Sequence, residues 1–504
     1  MANCAADQGP GWSLDIHTRR YVIIRAMNFG RGLFPYLALT IALVGCSTIR
    51  RARDAQAEVA PRGEEAQVSA MQGRLDLRGK SLAELVDFAL TNRPSIASAR
   101  LAVEDARLAL RELAADAPLV SDTPWTAPSI SLNGDYSESS AGTHWHEHDY
   151  STRGGPSAGV SVDLLLWDFG RYDAKAKAQA ERVVAAEVQL VDEGYTVFDE
   201  VASAYFTYLE KCALLDVAQT NETEYADHLC QAEARLEAGE ANRRDVLRAR
   251  LDYTQSRQKT VAASNLVTTS GAELMRALGV DASRGTCTDV FGHVSDGIRY
   301  VRRGFARTTY GVDEAFDLAR TNAPSMRVAR AKLRAASHQV DYTVSDLMPS
   351  ISATTSFRWS DPLWFWSWGV SGVQSIFQGF RKTTAVDRAV VSMRQAATDV
   401  DTAEQSLSVS IETAIANRDD SVKALETAVA SIRSARENLE MVRRQLSVGD
   451  VSRIELSEAI AAHSTAVGDC VTAFYQGQRV EATLFAKVGR YPVYQEERVE
   501  EDVK

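Results

Sequence analysis

Two groups of residues are best suited to chemistry, one of histidines and one of carboxylates. His144, His146 and His148 alternate beside Glu147 and Asp149. A strand would turn all three imidazoles to one side, a donor set that suits copper, nickel or zinc. Alternate side chains on a strand lie about 6.5 to 7 Å apart, long for chelating one tetrahedral ion, so a polar surface loop is expected here and no bound metal. The carboxylates follow two glycine turns. Glu455 and Glu458, just past Gly449, stand at i and i+3 on one helical face, and Asp245 follows Gly239 in the same way. Arg243, Arg244 and Arg453 are their basic neighbours. Acidic groups gathered on one face attract cations, although a helix face solvated by water has the same pattern. No phosphate-binding glycine loop, nucleophile elbow or metalloprotease motif occurs, so the chain does not read as an enzyme.

The elements that carry these residues belong to a long, acidic chain. It has 504 residues, is 45% apolar and 24% charged, and has a net charge of -11, which argues against nucleic acid as a partner. With 12 prolines and few loop-like stretches, long continuous elements and an elongated molecule are expected. Six scattered cysteines with no Cys-x-x-Cys pair exclude a disulfide framework and a zinc site. The run Leu33 to Val44 is 12 uncharged residues, too short to span a bilayer. It follows Arg25 and Arg31 and leads into Val44-Gly45-Cys46. This pattern resembles a bacterial lipoprotein signal, which would make Cys46 the acylated first residue of the mature protein. Lipid acyl chains on Cys46 are then the only attached groups expected, with no cofactor. Met27 offers an alternative start that gives a signal of ordinary length.

Self-similarity dominates the rest of the chain. Leu82 to Arg100 matches Val312 to Arg330 at an offset of 230, and Arg235 to Ala249 matches Gln445 to Ala459 at an offset of 210. The first copy thus holds about 20 extra residues, expected in a loop from Ser139 to Gly155. Each copy reads as helix, two strands, very long helix, tight turn, returning helix. The long helices, Arg171 to Ala238 and Arg381 to Val448, would each reach about 100 Å. Val184, Val188, Val191, Tyr195, Phe198, Ala202, Tyr205, Leu209 and Cys212 alternate by four and three, the heptad mark of supercoiled packing. The returning helices, Asn242 to Gly279 and Ser452 to Gly489, match that length only if they stack on the helices from Pro94 to Ala117 and Pro324 to Leu347.

The strands alternate apolar residues with Ser, Thr and Asn. Pro128 to Tyr136 and Ser157 to Trp167 form one pair, the latter with Val160, Val162, Leu164 and Leu166 on one face. Ser350 to Trp359 and Trp364 to Phe377 form the other, with Trp359, Trp364, Trp366 and Trp368 clustered. This pattern fits strands with lipid on one side and water on the other. A sheet in lipid must close, and four strands cannot make the smallest barrel of about eight, so the chain is expected to oligomerise. Two copies would supply eight strands and three would supply 12; geometry alone leaves both open.

From about Ser81 to Gly489 the chain resembles the TolC family of outer-membrane efflux proteins. The resemblance rests on the paired Asn-x-Pro helix starts (Asn92 and Pro94, Asn322 and Pro324), on LLLWDFGR and SIFQGFR at the strand-to-helix corners, and on both glycine turns. Phe380 stands where the family usually has glycine. The resemblance implies a mainly α fold: a long helical coiled-coil barrel, with four strands per protomer entering a 12-stranded transmembrane β-barrel in a homotrimer. It also implies an exit duct in the outer membrane that conducts what an inner-membrane pump expels through a periplasmic adaptor. The turns at Gly239 and Gly449 would meet the adaptor, Glu455 and Glu458 would form acidic rings of the lumen, and Asp245 would help lock the closed state. Arg243, Arg244 and Arg453 would bridge these groups. The Cys46 signal favours the lipid-anchored branch, held to outer-membrane lipid. The expected organisation is a signal over 1–45, a tether over 46–80, repeats over 81–290 and 311–490 joined by a linker over 291–310, and a tail over 491–504. A lipid-anchored periplasmic scaffold or adaptor, and the outer-membrane duct of type I protein secretion, are the alternatives.

Overall fold

The computed structural model describes residues 48, 50–56, 81–114, 116–119, 128–141, 151–239, 242–280, 311–360, 363–448 and 452–489. The chain divides into two units, Met1–Leu75 and Asp76–Lys504. In the first, residues 50–56 are helical and exposed. The second holds every element that follows. Among the described residues no helix is long and apolar enough to cross a membrane.

Each repeat opens with two short helices. Helix α1, Leu82–Asn92, starts at a capping box in which Ser81 Oγ accepts from Glu84 N and Glu84 Oε2 accepts from Ser81 N. It stops because the next helix, α2 (Pro94–Ala114), begins with proline, and a residue before proline is driven out of the α region. Arg93 is accordingly extended, with φ -71° and ψ 132°.

The first hairpin follows: β1, Ser129–Ala141, and β2, Ser151–Trp167. The chain then turns into α3, Arg171–Glu237, and returns as α4, Arg243–Ala277. The second repeat has the same order, beginning with α5, Val312–Asn322, and α6, Pro324–Ser345. At that junction Ala323, ahead of Pro324, has φ -57° and ψ 125°. Then come β3, Ser350–Ser360, β4, Leu363–Val373, α7, Arg381–Val448, and α8, Arg453–Val488. The expected long helices of 68 residues are thus observed as 67 and 68.

The short and returning helices stack end to end, as their lengths require. Gly279 and Gly489 close α4 and α8 with φ of 74° and 72°. A Cβ on Gly279 would lie 3.2 Å from Arg93 Cα, and one on Gly489 would lie 3.0 Å from Asn322 O. Each returning helix therefore ends against the junction of its own repeat's short helices. Both junctions are tied to α3, by an Arg93–Glu200 ion pair of 2.6 Å and by Tyr195 Oη donating to Gly489 O at 2.8 Å. The four columns run in the order α2 with α4, α3, α6 with α8, and α7. Helix α3 packs against α2, α4, α6 and α8, whereas α7 packs against α5, α6 and α8 of its own repeat.

The strands form one antiparallel sheet in chain order, with β2 and β3 joining the repeats and β1 and β4 at the edges. The expected loop from Ser139 to Gly155 is partly strand: Ser139–Ala141 and Ser151–Gly155 pair across the hairpin, because alternation of small polar residues can continue a ladder with no apolar signal. The last residues of the fourth expected strand, Gln374 to Phe377, leave the sheet and lead into the corner. A second correction concerns β2. A register shift between Leu165 and Trp167 makes Leu166 the extra residue of a bulge, so the stripe of Val160, Val162 and Leu164 continues at Trp167 and not at Leu166.

The two strand-to-helix corners each hold two consecutive residues at positive φ: Phe169 and Gly170, then Gly379 and Phe380. The order of phenylalanine and glycine is reversed between the repeats. A left-handed residue with a Cβ costs about 1–2 kcal/mol. In the first corner, buried Asp168 offsets this by accepting from Gly170 N at 3.2 Å and Tyr172 N at 2.6 Å, capping α3.

Candidate functional site

The sheet is two-faced across all four strands. Cross-strand pairs set Ile130, Val162, Thr355 and Trp368 in one row and Leu132, Val160, Phe357 and Trp366 in the next. Ile130, Leu132, Phe357, Trp366 and Trp368 are exposed, and Trp364 and Val370 extend the same face. The other face carries Ser131, Ser161, Ser356 and Ser367 in a single row, with Ser356 and Ser367 joined at 2.7 Å. Below that row Thr354 donates to Asp163 at 2.7 Å. One face thus suits hydrocarbon and the other water, the division of a barrel wall. Strands β3 and β4 have 11 residues each. At about 3.3 Å per residue and a tilt of about 45° they rise about 26 Å, close to the apolar band of a bacterial outer membrane.

At the far ends of the long helices lie the turns. Gly239 has φ 77° and open space around its α-carbon, so the backbone conformation alone calls for glycine there. Asn242 and Ser452 are the N-caps of α4 and α8. Asp245 and Glu455 are the N3 residues of these helices: Asp245 Oδ2 accepts from Asn242 N at 3.4 Å, and Ser452 Oγ accepts from Glu455 N while donating to Glu455 Oε1 at 3.2 Å. Both acids therefore have a structural task that Asn242-x-x-Asp245 and Ser452-x-x-Glu455 announce in the sequence. Glu455 and Glu458 are exposed, as are Arg243 and Arg244. Among the described residues, Asp245, Glu455, Glu458, Arg243 and Arg244 form no ion pairs with one another. Arg453 opens α8. Gly449, Cys46, His144, His146 and His148 lie outside the described residues.

The two helical hairpins are linked above the turns by groups that periodicity did not single out. Arg443 of α7 pairs with Glu224 of α3 at 3.2 Å, Tyr225 donates to Ser457 O at 3.3 Å, and Ser457 donates to Asp252 at 3.3 Å. Burial raises the Tyr225 phenol above its usual range. These are polar residues on an interhelical seam, which leave no mark in an apolar period. Nearer the middle of α3, Glu210 is buried and held by Arg479 at 2.6 Å and Lys211 at 2.7 Å. Arg479 also donates to Gln476. Beside it burial pushes the Cys212 thiol up to about 11, which keeps it an unreactive packing group. No group of His, Cys, Asp and Glu that could hold a metal occurs among the described residues.

Three solved structures illustrate the likeness of the whole arrangement. CusC shares 19% identity, with a TM-score of 0.66, over 81% of this chain and 92% of its own. VceC of Vibrio cholerae shares 14% over 81% and 96%, with a TM-score of 0.67, and the CmeC outer membrane channel of Campylobacter jejuni 14% over 81% and 85%, with a TM-score of 0.66. At these identities the likeness establishes the fold, a TolC-like one. No curated protein matches the chain in sequence. The family model of the outer membrane efflux proteins matches residues 85–280 and 315–490, one segment in each repeat. A chain built as a lipid-facing sheet on two tandem helical hairpins, and matched by that model over most of its length, belongs to the outer membrane efflux protein family, whose members are conduits and not enzymes.

Proposed function

We propose that three copies of the chain close into the exit duct of a tripartite efflux system, the outer-membrane end of a path that begins at an inner-membrane pump. One observation carries this reading: a four-stranded sheet that is apolar on one face, hydroxyl-lined on the other and open at both edges. Lipid cannot satisfy open strand edges, so β1 of one copy must pair with β4 of another. Eight strands would give a barrel filled by its own side chains, whereas 12 leave an aqueous lumen, which favours three copies over two. The helical columns tell the same story. Exposed Leu101, Leu108, Leu251 and Val261 line the α2 and α4 edge, and Val391, Val409 and Val429 are exposed along the α7 edge. Each edge offers the other an apolar surface. A periplasmic scaffold has no use for such a sheet.

In this assembly the turns at Gly239 and Gly449 are the ends that meet a periplasmic adaptor. Glu455 and Glu458 from three copies would bring six carboxylates to the mouth, where they attract cations and hold the passage narrow against basic groups, Arg243, Arg244 and Arg453 among them. Asp245 contributes at the neighbouring turn. The seam of Tyr225, Ser457, Asp252, Arg443 and Glu224 must loosen when the hairpins part. Acyl chains on Cys46 anchor the mature protein to the membrane. Single-channel recording from purified protein in a planar bilayer tests the duct and the gate together. Small cation-selective currents are expected, rising in Glu455→Gln/Glu458→Gln at the same salt. Equal currents in both would remove the gate role, and absence of current in both would remove the duct.

A further inference from the structure

We infer that Arg381 of one copy pairs with Asp116 of the next, an ion pair that fixes the register of neighbouring copies where the helices meet the sheet. The inference rests on the assembly of three copies proposed above and adds to it the residues that meet.

Internal duplication makes one seam inside the chain a template for the seam between chains. The columns run α2 with α4, α3, α6 with α8, α7, so α3 meets α6 within a protomer as α7 must meet α2 of the next copy in a closed ring. At the end of the inner seam, where α6 stops and α3 begins, Arg171 pairs with Asp346 at 3.2 Å. Arg381 stands at the offset of 210 from Arg171, and each is the first residue of its long helix. Asp116 stands at the offset of 230 from Asp346, and each lies just beyond the C-terminus of its short helix. The outer seam thus carries the same two residue types at the same two places.

Inside the protomer these two residues are left over. Asp346 has a second cation from its own repeat, Lys382 of α7 at 3.3 Å. The counterpart of Lys382 is Tyr172, buried and uncharged, so Asp116 receives nothing equivalent. Arg381 and Asp116 are both exposed, and neither has an ion pair among the described residues. Duplication alone does not explain why the pair was kept. Along the same seam Glu181 and Arg334, 2.9 Å apart, correspond to Val391 and Glu104, which cannot form an ion pair. There the outer seam is apolar: Leu101, 65% exposed, stands where Ala331 is buried, and Val391 is 61% exposed. Apolar contact is non-directional, so leucine and valine alone would let one copy slide along another. A charge pair at one end removes that freedom, because electrostatic complementarity fixes register more than it adds affinity.

Full-length protein purified in detergent tests this with the Asp116→Cys/Arg381→Cys variant and a short bis-maleimide, the two single variants serving as controls for the native cysteines. Covalent dimers and trimers on denaturing gels are expected in the double variant alone. A trimer by light scattering without those bands would overturn the pairing and leave the assembly intact. A wild-type monomer by light scattering would overturn both. The charges are tested separately. Arg381→Glu should lower the temperature at which the trimer dissociates, and adding Asp116→Arg should raise it again. Both positions are exposed, so the protomer keeps its fold. A double variant no more stable as a trimer than Arg381→Glu alone would overturn the ion pair.

Discussion

Helices α3 and α7 occupy equivalent places in the two repeats and are 67 and 68 residues long, yet they live in different surroundings. Helix α3 has neighbours on both sides and buries Val188, Val197, Phe198, Val201, Ala202 and Phe206, together with the charged Glu210. Helix α7 buries Leu407, Ile411 and Ile415 against its own repeat, and Leu439 and Val442 against α8 with Tyr225 of α3 beside them, and leaves Val391, Val409, Val429 and Met441 exposed. Duplication supplied two similar helices, and position in the layer assigned them different work. The central helix holds the two repeats together, and the edge helix leaves an apolar surface exposed, the one that the proposed assembly uses.

The largest expected break in this comparison is electrostatic. Glu210 is buried, whereas Asp420, its counterpart at the offset of 210, is exposed on α7. Arg479→Ala removes the closest partner of a buried carboxylate and should cost about 3–5 kcal/mol, read as a lower thermal midpoint in detergent. Asp420→Ala should stay within about 0.5 kcal/mol. Equal effects would mean that the two helices are not differently placed.

Next come the stacking glycines. Gly489→Ala and Gly279→Ala each force a left-handed alanine, costing about 1–2 kcal/mol before any clash. The closer approach at Gly489, 3.0 Å to a carbonyl oxygen, should make it the worse of the two in the same melts. Edge exposure is tested by Val409→Asp, which should change protomer stability by no more than about 0.5 kcal/mol while shifting trimer towards monomer in light scattering. Retention of the trimer would place the contact elsewhere.

The smallest effect is a pH dependence confined to α3. Burial raises the Asp199 carboxyl above 3.8, with Thr483 and Lys487 opposing and Glu200 adding to the shift. An acid with a raised folded pKa binds more protons folded than unfolded, so its contribution falls as pH rises from 3.8 through that raised value. Asp199→Asn should flatten this slope in thermal melts, and no change of slope would show that another group sets it.

Much of this architecture was legible because its signals are local. Ser81, Asn242 and Ser452 mark helix starts, Pro94 and Pro324 end the helices before them, and Gly279 and Gly489 end the returning ones. The heptad run in α3 marks a stripe whose members meet different surroundings: Val188, Phe198, Ala202 and Cys212 are buried while Val184 and Val191 are exposed, since periodicity fixes which residues share a stripe and not what covers it. The capping roles of Asp245 and Glu455 were available in the spacing yet overshadowed by their charge. The seam from Tyr225 to Asp252 had no signal at all, because its partners come from helices separated by more than 200 residues.

By itself the sequence determined the lengths and ends of the helices, the two-faced strands and the duplication, all of which depend on bonds within a segment or on a period of two or seven. Only the tertiary structure decided that β2 carries a bulge, that the hairpins join through β2 and β3, and that α3 is central while α7 is an edge. The reason is physical: a helix satisfies its backbone internally whatever surrounds it, whereas burial and register depend on which distant segment arrives alongside.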